Sequence, residues 1–433
     1  MQYLKISVIL VIWLDRRKIR DIMSKENFSN IVEIIKDGNI TTVPEFYAGS
    51  CHSGIRKWKD DLSIIFTPLR TTTSAVFTTN KFAAAPIKVD KWQLKKSRNI
   101  NAIVINSGIS NACTGKEGYL NALETVKIAA ENLDIGEQNV LVSSTGRIGV
   151  QLPMEKIKYG IEVCSKNLTR QGGGNAAKAI LTIDKKTKEI AVKLKDQNPE
   201  IIIGGIAKGS VMIEPNMATT LAFLTTNVKI SIKLLDKLLK DAVSVTFNCL
   251  TTDGCQSTND MIVAVANAQS GVDVSKNNKL LRNFKTALYF VLESLTKKVA
   301  EDAEGVTKII EIEVINSKSI HTAKNIGKKV ANSLLFKTAM FGQDLNWGRI
   351  VAAIGSEGSN MDQEKIDLYF GDELIMKKGS KNDFDKKKTA QMMRDSFLRF
   401  KVDLNSGNFK AKILTNDITY DYIKMNAEYK KQR

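Results

Sequence analysis

The sequence predicts an α/β (α+β) protein in which helices are layered on sheets. Strand-like apolar runs recur along the chain with segments of helical period between them. At 433 residues and 43% hydrophobic content, the chain can bury a sizeable core. No Pro/Gly/Ser-rich linker, low-complexity tract or repeat divides it, so one body of two intimately packed halves is expected.

The first element is an apolar run, Ile6 to Leu14, followed by Arg16-Arg17-Lys18. It is too short to span a bilayer, and no small-residue cleavage site follows it. Met23 opens a polar segment that reads as an ordinary start. Residues 1–22 therefore read as an N-terminal extension, poorly packed and outside the functional fold. Strands are expected at Ala102 to Asn106, Val140 to Ser144, Ile190 to Leu194, Ile201 to Ile206, Thr220 to Thr226 and Met261 to Ala266. Three apolar stripes at helical spacing mark core-facing helices. They are Leu120, Leu123, Val126, Ala130 and Leu133; Ile232, Leu235, Leu239 and Ala242; and Leu281, Phe284, Leu288, Val291 and Leu295. Ser231 is placed to cap the second, and the third helix is expected to stop at Gly305.

Composition excludes several kinds of chemistry. Gly172-Gly173-Gly174 and Gly204-Gly205 lack the strand-to-helix GxGxxG context, and no Walker loop occurs, which leaves nucleotide chemistry without a footing. Five cysteines (Cys51, Cys113, Cys164, Cys249, Cys255) form an odd set without CxxC spacing, against a disulfide framework or a zinc site. A reducing cytoplasm fits. With only two histidines, His52 and His321, neither in a nucleophile motif, an imidazole metal cluster or a Ser-His-Asp triad is not expected. The formal charge of +18 is spread along the chain, and runs such as Lys386-Lys387-Lys388 lack the interleaved aromatics of a base-stacking platform. It reads as solvation, with some help in drawing in carboxylate substrates; neither nucleic acid nor a membrane is expected as partner.

What remains is a nucleophile that carries its own base. In Lys208-Gly-Ser-Val-Met-Ile-Glu-Pro-Asn-Met-Ala-Thr219, a threonine follows a Pro-restricted turn at the start of a strand. Held against the preceding carbonyl, its hydroxyl can take the acyl group from nitrogen, freeing an α-amine. That amine, with a reference pKa of about 8, can then accept the hydroxyl proton. Thr220 would face the opposite side of the strand, and the residues alone do not choose between the two. Ser143-Ser144-Thr145-Gly146, ending a strand, reads equally as an oxyanion-binding loop or an ordinary turn.

These stretches resemble the ornithine acetyltransferase (glutamate N-acetyltransferase) family, arginine-biosynthesis enzymes whose precursor cuts before the threonine of Pro-Asn-Met-Ala-Thr. Val76-Phe-Thr-Thr-Asn80, Asn106-Ser-Gly-Ile-Ser-Asn-Ala-Cys-Thr-Gly115, Thr251-Thr-Asp-Gly-Cys255, Ser257-Thr-Asn-Asp260, Asp302-Ala-Glu-Gly305 with Thr307-Lys308, Asp344-Leu-Asn-Trp-Gly-Arg349 and Asn426-Ala-Glu-Tyr429 match its signatures in order from about residue 45 onward. The resemblance implies a layered sandwich of the kind shared with DmpA-like enzymes. It implies self-cleavage between Ala218 and Thr219, giving an α chain (23–218) and a β chain (219–433) that stay together as a heterotetramer of two pairs. Thr219 would be the nucleophile, the Thr145 hydroxyl and Gly146 amide the oxyanion donors, and Thr182, Lys208, Thr219, Glu304 and Asn426 the substrate contacts. Lys208 would pair with a substrate carboxylate or lower the pKa of the new amine. Glu304 would meet an ammonium, its alternative being a solvent-exposed carboxylate at a helix end.

The activity implied is acetyl transfer from N-acetylornithine to glutamate through an acetyl-threonine ester, with no cofactor or metal. Some members use acetyl-CoA as donor, and no motif separates the two kinds. A self-processing amidohydrolase or aminopeptidase and a non-cleaving basic binding protein are the alternatives. The location expected is cytoplasmic, or the mitochondrial matrix in a eukaryote. The chain departs from the family at Val211, where glycine is usual, at Ile183, where a second threonine is usual, and at Lys431, where a terminal substrate-binding threonine or serine is usual.

Overall fold

The computed structural model describes residues 25–214, 220–358 and 360–428. The extension at 1–22, the Ala218–Thr219 bond and Lys431 lie outside the described residues. In chain order the first lobe comprises α1 (Lys25–Ile31), β1 (Val32–Ile35), β2 (Tyr47–Cys51), β3 (Leu62–Phe66), β4 (Thr72–Phe77), α2 (Ala85–Lys96), β5 (Ala102–Ile109), α3 (Gly115–Leu133), β6 (Val140–Arg147), α4 (Met154–Lys166), α5 (Gly173–Ala179), β7 (Lys188–Leu194), β8 (Ile202–Lys208), β9 (Leu221–Thr226), α6 (Ile232–Val245), β10 (Met261–Ala266) and α7 (Asn278–Glu301). All six expected strands fall on observed ones, to within two residues at their starts.

These strands make two stacked sheets, one ordered β1-β7-β8-β9-β10-β4 and the other β2-β3-β5-β6. Strands of the larger sheet are apolar on both faces because both are covered. Ile203, Ala222, Leu224 and Ile262 pack under α6 and α7, while Ile206, Leu221, Phe223, Met261 and Val263 meet Ile65, Ile103 and Leu141 of the smaller sheet. The outer face of the smaller sheet, Leu62, Ile64, Val104 and Val142, packs against residues of α3 and α4 such as Ala122, Val126, Ile157 and Ile161. The result is a helix–sheet–sheet–helix sandwich, the layered class expected. Close approach is paid in small residues: a side chain at Gly204 would put its Cβ 2.3 Å from the Asn39 carbonyl oxygen. That glycine serves packing, not phosphate binding.

A second lobe follows. β11 (Ile309–Ser317), α8 (Ile320–Ala331), α9 (Leu334–Phe341), α10 (Trp347–Gly355), β12 (Asp367–Phe370), β13 (Glu373–Lys377), β14 (Ser380–Lys381), α11 (Lys386–Met392), β15 (Phe397–Asp403), β16 (Phe409–Asn416) and α12 (Tyr420–Ala427) include a sheet ordered β14-β13-β12-β15-β11-β16. Its core joins Ile310, Ile312 and Phe400 of the sheet to Ile326, Phe336 and Ile350 of the helices.

Two helices bury most of the stripe expected of them and expose its first residue. Leu120 is 50% exposed, while Val126 and Ala130 of the expected stripe are buried together with Asn121, Ala122, Thr125 and Ala129. Ile232, in the first turn of α6, is also exposed, while Leu235, Leu238, Leu239 and Ala242 are buried; Ser231 caps this helix, accepting from the Leu234 amide. α7 stops at Glu301, short of Gly305, with the Asp302 amide donating to Val299 O.

Candidate active site

β8 and β9 are antiparallel neighbours, with Lys208 opposite Leu221, so the strands on either side of the expected cut belong to one sheet. Thr219 and Ala218 lie outside the described residues; Thr220, next in the chain, is buried. β6 of the other sheet ends at the same region. Lys208 donates from Nζ to Thr145 Oγ1 at 3.2 Å, joining the two sheets where three strands end.

Gly146 has φ +133°, and a Cβ there would lie 2.2 Å from Gly108 C and 2.5 Å from Gly108 O. No other residue fits this turn. Thr145 is buried and Gly146 exposed, so the loop opens outward at its glycine. The Asn259 side-chain amide pins it from behind, donating to Ser144 O at 2.8 Å and Ser110 O at 2.7 Å.

Thr182 donates from its amide (3.0 Å) and hydroxyl (3.3 Å) to Asp184 Oδ2, and Lys208 Nζ is 4.0 Å from the same oxygen. Arg56 donates to the Leu181 and Thr182 carbonyls at 2.6 and 3.0 Å, holding this loop from the other side. The other oxygen, Asp184 Oδ1, accepts from the Gly209 amide at 2.8 Å and from Lys188 Nζ at 2.5 Å. Lys188, fully buried, also meets Asp302 Oδ2 at 2.5 Å. From there the chain reaches Glu304, whose amide donates to Ser210 O at 3.1 Å and whose Oε2 accepts from Asn426 Nδ2 at 3.0 Å. Thr145, Lys208, Thr182, Glu304 and Asn426, far apart in sequence, are thus linked through hydrogen bonds and the ion pairs of Asp184.

The electrostatics follow from burial. Burial alone would push the Asp184 carboxyl up, but the Lys208 and Lys188 ammonium groups outweigh it and hold the carboxyl well below its ordinary value. Lys208 is pulled down by burial, opposed mainly by Asp184. Its charge is therefore already shared with a protein carboxylate. Glu304 is buried, which overturns its reading as a solvent-exposed helix-end carboxylate; burial raises it, with the Asn426 hydrogen bond acting against the rise. Among the described residues no group of three or more His, Cys, Asp or Glu could hold a metal ion. His52 and His321 are exposed, with Arg56 O and Asn325 as neighbours.

A model of the ArgJ family matches residues 47–431. The chain belongs to the ArgJ family. The arginine biosynthesis bifunctional protein ArgJ of Caldanaerobacter subterraneus subsp. tengcongensis is 41% identical to it over 407 residues, covering 92% of this chain and 99% of that one. ArgJ of Dehalococcoides mccartyi is 39% identical over 402 residues, covering 92% and 98%. Of solved structures, ArgJ of Bacillus halodurans aligns with a TM-score of 0.41 at 37% identity, over 43% of this chain and 98% of its own. The ornithine acetyltransferase of Mycobacterium tuberculosis complexed with ornithine aligns with 0.41 at 30%, over 43% and 100%.

Within this ArgJ-family site, the residues expected from the sequence are held by others to which the sequence assigned no role. Asp184, Lys188, Asp302, Asn259 and Arg56 carry the network. Asp302 and Asn259 lie inside matched motifs whose other residues carry the expected roles, and a buried lysine is not distinguishable in sequence from the many exposed ones. Ile183, a departure from the family pattern, is exposed beside Thr182.

Proposed function

We propose that this chain cleaves itself before Thr219 and then moves acetyl groups between the amines of ornithine and glutamate. As a member of the ArgJ family it is an acyltransferase of arginine biosynthesis. The observation that supports the finer reading best is the Lys208–Thr145 contact, which gathers the ends of β6 and β8 beside the entry to β9. The Thr219 hydroxyl oxygen attacks the acetyl carbonyl of N-acetylornithine while its proton passes to the Thr219 α-amine. Thr145 and Gly146 donate to the oxyanion, contacts worth about 3 kcal/mol each. Collapse breaks the amide C–N bond, and the amine returns the proton to the departing ornithine. The glutamate amine then attacks the threonyl ester, reforming the hydroxyl.

Thr182 and Lys208 take the substrate carboxylate end, and Glu304 with Asn426 the ammonium end. No cofactor is needed by this scheme; acetyl-CoA enters only as a second acetyl donor. The assembly proposed is a heterotetramer of two α and two β chains in the cytoplasm, with residues 1–22 outside the catalytic body. Among the described residues no helix is long and apolar enough to cross a membrane.

Intact-mass spectrometry of wild type beside Thr219→Ala tests the nucleophile. Two fragments meeting at Ala218/Thr219 in the wild type and one intact mass in the variant are expected. An uncut wild-type chain overturns the mechanism and favours a binding protein; a cut chain that releases acetate without passing it to glutamate favours a hydrolase. Turnover with acetyl-CoA in place of N-acetylornithine then decides whether the enzyme has one donor or two.

A further inference from the structure

Thr145 and Gly146 are the residues that the scheme above asks to meet an oxyanion, and one side chain outside that scheme grips the chain on both sides of them. Asn259, buried, donates through its amide nitrogen to Ser144 O at 2.8 Å and to Ser110 O at 2.7 Å. Only the NH2 end of an amide can meet two carbonyl oxygens, and the amide oxygen accepts from the Thr258 hydroxyl at 2.6 Å, so each end has its proper partner. On the near side, Ser144 O belongs to the planar peptide unit that ends at the Thr145 Cα. A bond at that oxygen therefore fixes the plane from which the Thr145 side chain departs. On the far side, Ser110 donates from its amide and its hydroxyl to Arg147 O, at 2.9 and 2.7 Å, and Asn259 in turn holds the Ser110 carbonyl.

Where Asn259 comes from matters as much as what it holds. β6 is an edge strand, and the backbone groups on its open side need partners from elsewhere. They are met in order along the strand: Gln93 donates to Val140 O at 3.3 Å, Asp90 accepts from the Val142 amide at 2.9 Å, and Asn259 donates to Ser144 O. Gly146, two residues on, is exposed. Gln93 and Asp90 stand on α2, which packs on the same sheet as β6, whereas Asn259 stands at the entrance to β10 in the other sheet. Beside it, Asp260 O accepts from the Thr78 amide at 2.9 Å and the Met261 amide donates to Thr220 O at 3.2 Å, which fastens Asn259 to the end of β4 and the entry to β9. We propose that Asn259 is a positioning residue for acetyl transfer: it sets the oxyanion loop of one sheet against β9 of the other, the strand that follows the proposed nucleophile. This inference rests on Thr145 and Gly146 being the oxyanion donors. Lys208 makes a second tie by donating to the Thr145 hydroxyl oxygen, which leaves the O–H of that threonine able to donate; Asn259 holds the backbone that aims it.

A double-mutant cycle of Asn259→Ala and Thr145→Ala in the full chain tests this. Thermal melting checks folding, intact mass follows the cut, and kcat and KM are measured for acetyl transfer by the cut enzyme. Asn259→Ala is expected to lower kcat about thirtyfold, less than the roughly hundredfold or more of a deleted donor, because the loop is loosened and not removed. Both KM values are expected to stay within about twofold, since the residues expected to hold the substrate ends lie on other loops. In the Thr145→Ala background the same change is expected to cost less than about fivefold, because groups that act as a unit are not additive. Asn259→Ser, which keeps one donor, is expected to recover part of kcat. Equal losses in both backgrounds, a normal kcat in the folded Ala variant, or a rise in KM alone overturns the proposal. So does a folded Asn259→Ala that stays uncut while Thr145→Ala cuts, since Asn259 would then act by a route other than the loop. Where both variants cut too slowly for transfer to be measured, the same cycle is read on the rate of cutting. A Thr145→Ala enzyme with normal kcat defeats the oxyanion reading itself, whereas an impaired Thr145→Ala beside a normal Asn259→Ala defeats only the role of Asn259. Asn259→Ser replaces Ala in the cycle if melting shows the latter unfolded.

Discussion

Two buried lysines, one in each lobe, are handled in opposite ways. Lys188 lies between the Asp184 and Asp302 carboxylates at 2.5 Å from each. Lys337 of α9, equally buried, donates to Thr415 Oγ1 at 2.6 Å and to the Asn416 carbonyl, both neutral. Burial drops it to about 7, against weaker support from Asp417, Asp253 and Glu214. The difference teaches where this molecule keeps fixed charge. Beside the candidate active site a cation is locked by two anions that also accept from the Thr182, Gly209, Lys185 and Lys186 amides; in the second lobe the cation is held by dipoles and can lose its proton near neutrality.

Lys188→Ala is the harshest test, because it strands two buried carboxylates. Urea denaturation should show a loss of about 4 kcal/mol, and the variant should cut and turn over poorly since Lys208 loses its frame. The same network makes the first lobe acid-sensitive. Asp184, held low when folded, contributes stability that is present above the unfolded carboxylate value of about 4 and lost as pH falls below it. Gly146→Ala should cost about 2 kcal/mol in stability and lower transfer about a hundredfold, as the added Cβ pushes the loop away from Gly108. A variant with normal kcat would detach the oxyanion role from this loop.

For Lys337 the sign is the same and the window lies higher. Its folded value lies below its unfolded one, so the unfolded chain binds the extra proton between pH 7 and about 10, and wild-type stability should rise across that window by up to about 1.4 kcal/mol per unit. Lys337→Met should flatten that slope while changing stability at pH 7 by less than about 1.5 kcal/mol. A slope that survives the substitution would mean that another group titrates there. The smallest effect belongs to the partly exposed pair between Lys328 and Glu214, 3.7 Å apart, where Lys328→Ala should cost no more than about 0.5 kcal/mol by the same denaturation assay. A much larger loss would mean that intermediate exposure already behaves like full burial.

Much of the fold is legible before any coordinates. Strands such as Met261–Ala266 are apolar at every position, and that run has no other outlet than a sheet covered on both sides. Helix faces are harder, as Leu120 shows: its hydrophobicity points inward, yet it is exposed while Ala122 and Ala129 of the same helix are buried. The second lobe was not anticipated as a separate sheet, because its strands alternate and carry charge, as in Phe397–Asp403, and because nothing in composition marks the passage from α7 to β11.

The layered class, the succession of strands and the segment proposed to bear the nucleophile are all legible in the sequence, since they depend on local period, turn chemistry and a contiguous motif. Only the tertiary structure decided which charges are buried and with whom. That Lys188 meets Asp302 and that Glu304 is sheltered behind Asn426 both depend on residues brought together across distant parts of the chain. Burial, which sets the strength of every charge here, is a property of neighbours that no single stretch of sequence contains.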